Sequence, residues 1–219
     1  MKKKQLFRIF INASESISDC LINLFKNKKN ANDLLTDISI IKKMRIGISY
    51  LSKDNKPTWL NDIFGSEFTH AAIHFTIEMN GNQSGVLVQY GQYKYIEKDN
   101  YGKTIKNIGF PYKEKGGLVF GEMDDDIFEK NFCSVGEIPL IITKKHPKIT
   151  LKKFLDEVKN KNGPWDFEHY DKVNKSCQDF VVAGLQIIKS FYSDSQVKLK
   201  NNMKIPFVIE NELKKHELE

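Results

Sequence analysis

Residues 68–91 read FTHAAIHFTIEMNGNQSGVLVQYG, and how this stretch pairs with itself decides the fold. Successive side chains of a strand point to opposite faces. In FTHAAIHFTIEM this puts Ala71, Ile73, Phe75 and Ile77 on one face, a core face, and His70, Ala72, His74 and Thr76 on the other. The next strand is expected over GVLVQYGQYKYIE, and in its GVLVQYG part Val86, Val88 and Tyr90 share one face and Leu87 and Gln89 share the opposite one. The NGNQSG between the two runs is turn chemistry, so the segment predicts a β-hairpin.

Working outward, MRIGISYLS from Met44 has strand composition, and GLVFGEM and GEIPLIITKK read as later strands. NKPTWLNDIFGS is a loop with a short turn, and NYGKTIKNIGFPYKEKGG reads as irregular. Thr150 opens a helix over LKKFLDEVKNKNG that Gly163-Pro164 stops, and a second helix runs from Cys177 to about Phe191. Strands first and helices later predict an α+β fold, an antiparallel sheet packed against helices. The expected organisation is an N-terminal helical extension over 1–43, a main domain over 44–200 and a charged C-terminal tail over 201–219.

The extension is expected from an apolar stripe at helical spacing, Leu6 to Leu24, followed by the polar break NKKNAND. Residues 1–45 carry ten Lys/Arg against four acids, an excess as large as the net charge of +6 of all 219 residues. Such a helix is expected to cover its own domain, and an anionic membrane surface is the other partner it suits. Aromatic residues are not interleaved with the basic region, which argues against nucleic-acid binding. Three cysteines, Cys20, Cys133 and Cys177, form no CxxC and no zinc-like cluster, so free thiols, a reducing cytoplasmic compartment and no cofactor are expected. No run approaches the ~20 apolar residues of a membrane span.

The chemistry centres on KSCQDFVVAGLQIIK, residues 175–189. Asn174 is a good N-cap, which would put Cys177 at N3, its own N–H without an intrahelical partner. There the helix dipole favours a thiolate, and the free N–H suits an oxyanion. Phe180, Val181, Leu185 and Ile188 are expected to bury the helix behind it. A nucleophilic thiol needs a base and a group to orient that base. Of five histidines, His146 precedes a proline, His169 lacks a rigid platform and His216 lies in a charged tail. His70, flanked by Ala71 and Ala72, has room for a helix end, whereas His74 between Ile73 and Phe75 reads as structural. Gln89, an amide among valines on the neighbouring strand, is placed to orient His70.

The order His70 in HAAIHF, Gln89 in LVQ and Cys177 in SCQDFV resembles the circularly permuted papain-like hydrolases. These are the permuted NlpC/P60 group, with the lecithin:retinol acyltransferase-like proteins and the PPPDE isopeptidases. The resemblance implies Cys177 as nucleophile, His70 as general base and Gln89 as orienting residue. It further implies a thiol hydrolase or acyl transferase acting on a peptide, isopeptide or lipid acyl substrate. Two positions depart from the pattern: Ser176 stands where Asn is usual, and Gln89 where His, Asn or an acid is frequent. Two other readings stay open on the same residues, a binding module that keeps the fold without turnover and an acyl enzyme working at a membrane surface.

Overall fold

The hairpin forms over residues 69–91 as its alternation requires, and the rest of the sheet is assembled on it. The computed structural model describes residues 34–50, 69–91, 96–98, 104–107, 117–143, 146, 148–163, 165, 169, 175–193, 198–199 and 205–217. The apolar stripe of the N-terminal extension, the NKPTWLNDIFGS loop, Cys20 and Asn174 lie outside these residues. In chain order the elements are β1 (Ile40–Tyr50), β2 (Thr69–Met79), β3 (Asn82–Gly91), β4 (Ile96–Lys98), β5 (Thr104–Asn107), β6 (Gly117–Glu122), α1 (Asp125–Asn131), β7 (Cys133–Pro139), α2 (Leu151–Asn162), α3 (Cys177–Phe191), β8 (Lys198–Leu199) and α4 (Phe207–Glu217).

Asn80 and Gly81, at φ 53° and 80°, make a two-residue turn between β2 and β3. Both central residues of a type I′ turn need positive φ, which Asn and Gly accept at least cost. The hairpin is central in a six-stranded antiparallel sheet ordered β6-β3-β2-β1-β7-β8, while β4 and β5 pair separately. The fold is therefore α+β. β1 starts at Ile40, ahead of Met44, with Ile40 and Ile41 already in register with Glu78 and Ile77. β5 and α1 fall in stretches where no element was expected. The segment after residue 201 contributes α4, whose Ile209 and Leu213 are buried.

One face of the sheet carries Met44, Ile46, Ile48, Ile73, Phe75, Val86, Val88 and Tyr90, all fully buried. α2 and α3 cover it. Phe154 meets Phe75 edge to face at 4.8 Å, and Tyr90 meets Trp165 at 4.9 Å. The helix expected behind Cys177 is buried as anticipated at Phe180, Val181, Leu185 and Ile188. At ~1.5–3 kcal/mol per large apolar side chain, this face is the main source of stability. α2 begins where expected, with the Thr150 hydroxyl accepting from Lys153 N–H at 3.2 Å.

The second face, bearing His70, Ala72 and His74, is buried as well. α1 covers it, with Phe128 and Phe132 one helical turn apart. Gly47 lies beneath them: a Cβ there would stand 2.6 Å from Phe128 Cζ and 2.9 Å from Phe132 Cβ. The absent side chain of Gly47 is what lets α1 approach.

Candidate active site

The register of β2 with β3 stops at Ala72↔Gln89, although β2 stays paired with β1 as far as Thr69. At this fork the backbone N–H of Ala71 donates not to a strand carbonyl but to Cys177 Sγ, at 3.5 Å. The thiol arrives from the α3 side of the sheet. His70, the residue before Ala71, belongs to the α1 side, where its Nε2–H donates to Gln89 Oε1 at 2.9 Å. A carbonyl oxygen can only accept, so this bond fixes the neutral His70 tautomer with its lone pair on Nδ1. Gln89 is fully buried, and among the described residues its Nε2 has no partner. The structure thus joins His70 to Gln89 by a hydrogen bond and brings Cys177 to the backbone beside His70.

Cys177 is the first residue of α3. The N-cap is Ser176, not Asn174, so Cys177 occupies N1 rather than N3. The reason is a capping box. Ser176 Oγ accepts from Gln178 N–H at 3.2 Å, and Asp179 Oδ2 accepts from Ser176 N–H at 2.8 Å and from Ser176 Oγ–H at 2.7 Å. Asp179, three residues after the cap, decides which of the polar residues starts the helix.

The expected easy ionisation of Cys177 is not what this geometry gives. The side chain is 5% exposed, and burial pushes the thiol from its ordinary 9.0 up to about 11. The Asp179 carboxylate pushes the same way, whereas the N–H groups of Ala71, Cys177 and Gln178 pull it down and do not prevail. Helix-end effects are worth ~0.3–2 kcal/mol, less than the cost of a buried charge. His70, 6% exposed, is lowered to about 4 by burial, with the Gln89 hydrogen bond opposing. The resting pair is a neutral thiol and a neutral imidazole.

His74 is structural in its contacts, as its sequence neighbours suggest. Arg45 Nη2 donates to its Nδ1 at 2.9 Å, and its Nε2–H donates to the Met123 carbonyl at 2.8 Å. Ring and guanidinium both pack on Phe128, at 4.4 Å and 5.1 Å. His146 Nδ1 lies 3.2 Å from the carbonyl of Phe191, at the opposite end of α3 from Cys177, and His169 is exposed. Cys133 is a free thiol raised above its ordinary value by burial and then by Glu129. Ser49, opposite His70 in register, is a neighbour the sequence did not single out; its buried Oγ has no partner among the described residues.

Among the described residues no group of three or more His, Cys, Asp or Glu is arranged to hold a metal, and no helix is long and apolar enough to cross a membrane. Comparison with known proteins found no matching family model, no matching curated protein and no matching solved structure.

Proposed function

We propose that this protein is a thiol hydrolase or acyl transferase of permuted papain-like architecture, working on an amide, isopeptide or ester carbonyl. The observation that carries the reading is the convergence at one strand end. A helix-initiating cysteine has its sulfur 3.5 Å from the backbone N–H of Ala71, and Ala71 directly follows His70, whose Nε2 is held by a buried amide at 2.9 Å. In this reading His70 Nδ1, on the α1 side, reaches around the end of β2 to the thiol on the α3 side, and its lone pair takes the Cys177 proton as sulfur bonds to the substrate carbonyl carbon. The imidazolium keeps its Nε2–H on Gln89 Oε1. The carbonyl oxygen takes up the negative charge, and the N–H of Cys177 at the helix start is a donor for it. Collapse breaks the bond to the leaving group, which receives the proton from His70. Water, or another acceptor in a transferase, then attacks the thioester carbonyl as His70 takes its proton; the C–S bond breaks, the acyl group is released, and the proton passes from His70 back to the Cys177 sulfur.

Because thiol and imidazole both rest uncharged, proton transfer accompanies attack and does not precede it. A neutral Gln89 orients the base without the charge that would favour a standing ion pair. The mechanism predicts acyl chemistry ahead of alkyl chemistry, since only a carbonyl substrate uses the oxyanion donor. The test is a panel of aryl esters, thioesters and isopeptide-linked peptides, followed by intact mass. The expected result is a single acyl adduct on Cys177, absent from Cys177→Ser and His70→Ala.

The thiol's low exposure and its shift to about 11 favour a second reading, a binding module that keeps the fold without turnover. Stoichiometric substrate binding with no acyl adduct from any carbonyl probe would establish that reading against the first.

A further inference from the structure

A second buried polar cluster lies on the α1 side of the sheet, two residues along β2 from Ala72, and the reaction above does not use it. Arg45, 3% exposed, projects from β1 directly opposite His74. Its Nη2 donates to His74 Nδ1 at 2.9 Å and ion-pairs with Asp125; its Nη1 donates to Glu129 Oε1 at 3.1 Å. Asp125 and Glu129 are four apart, hence on one face of α1. These bonds require a neutral His74, because Nδ1 must accept from Arg45 while Nε2–H donates to the Met123 carbonyl; Arg45 Nε has no partner among the described residues.

α1 has seven residues and no side-chain cap on its first turn. A helix that short does not persist alone, so what holds it to the sheet decides whether it exists. The ion-pairing face of α1 grips Arg45, and its aromatic face lies over the two histidines. Phe128 is 4.4 Å from His74, Phe132 is stacked 5.2 Å from Phe128, and Phe132 is 6.2 Å from the His70 ring. Arg45, Asp125, Glu129 and His74 at one end are thereby continuous, through two phenylalanines, with His70 at the other.

We infer that the Arg45–His74 cluster is a positioning clamp: by fixing α1 it seats Phe132 against His70 and keeps that imidazole buried on Gln89. The role of the clamp in turnover rests on the proposed function of His70 as base, but its physical action does not. The charged groups facing His74 are Arg45 and Lys43 from β1 and Asp125 from α1, with Glu129 reaching it through Arg45. The His74 imidazole is lowered to about 4, by burial first and then by these cations, so the clamp is closed throughout the neutral range.

The test is histidine NMR titration together with amide hydrogen exchange on the whole chain. Asp125→Asn/Glu129→Gln is the working variant, because both side chains are exposed and the amide oxygens still offer acceptors to the Arg45 fork while the charges are removed. Arg45→Lys, which keeps the charge and loses the fork, is the second. Both variants are expected to raise the His70 midpoint from about 4 toward 6.5 and to expose the α1 amides to exchange, with β2 and β3 still protected. A merely structural helix would change its own exchange and leave the His70 midpoint in place, and that result overturns the inference. So does an α1 that stays protected in both variants. Failure of the catalytic reading would look different: no acyl adduct in the unaltered protein, whatever the histidines do.

Discussion

Two buried neutral imidazoles make stability fall steeply in mild acid. The ordinary histidine value is 6.5, and His70 and His74 are each lowered to about 4, in both cases chiefly by burial. Between those values the unfolded chain binds more protons than the folded one, so folding stability is full above 6.5 and is lost as pH falls toward 4. Linkage gives a loss of about 2 kcal/mol per imidazole at pH 5, or about 4 kcal/mol for both. Ordinary carboxylates titrate near ~4, so pH 5 to 7.5 isolates the histidines. With a urea dependence of about 2 kcal/mol per molar, the midpoint should drop by about 2 M between pH 7.5 and pH 5. Urea unfolding of the unaltered protein and of His70→Gln/His74→Gln at the two pH values is the assay. The double variant starts less stable but should lose far less on acidification. Parallel losses in the two proteins would mean that the imidazoles are not held neutral, and the account of both sites would fail.

Other outcomes follow from particular contacts. A thiol raised from 9.0 to about 11 has about 100-fold less thiolate near neutral pH, so Cys177 should alkylate with iodoacetamide about that much more slowly in folded protein than in urea, as read by peptide mass. Asp179→Asn keeps an acceptor for the cap and removes the carboxylate, so the thiol value should fall from about 11 in an ultraviolet thiolate titration. Gln89→Glu puts a carboxylate on His70 Nε2 and should move the His70 NMR midpoint upward from about 4; an unmoved midpoint would mean that the two side chains are not bonded. Gly47→Val drives a branched side chain into Phe128, only 2.6 Å from where its Cβ would lie, and should cost about 1–3 kcal/mol in thermal unfolding.

The hairpin and its neighbours were legible because strand alternation has a period of two, and Asn80-Gly81 marks its own turn. The faces of Gln89 and His70 came from that alternation, and so did the prospect of their meeting across one strand pair. What could not be read was the cover on the second face. DDDIFEKN, residues 124–131, is too short and too acidic to register as an amphipathic helix. Its partner Arg45 stands some eighty residues earlier, and only the fold brings them together. The direction of the Cys177 shift failed for a related reason. A helix start is local and visible in sequence, whereas burial depends on every element that closes over the site. The cap itself was within reach, since Ser176 with Asp179 three residues on is a capping-box signature, and it outranks an isolated Asn174.

The sulfur of Cys177 is also the acceptor that terminates the β2–β3 ladder, receiving the Ala71 N–H where a strand carbonyl would otherwise stand. One atom therefore serves two ends, and the customary inert replacement is not innocent here. Alanine at 177 removes the nucleophile and strands a buried donor, at about 1–3 kcal/mol, so its phenotype mixes lost chemistry with a loosened strand end. Serine keeps an acceptor at the same backbone position. In any family of variants made at this residue, the gap between the serine and alanine proteins measures the architectural share of the thiol, and the gap between cysteine and serine measures its reactive share.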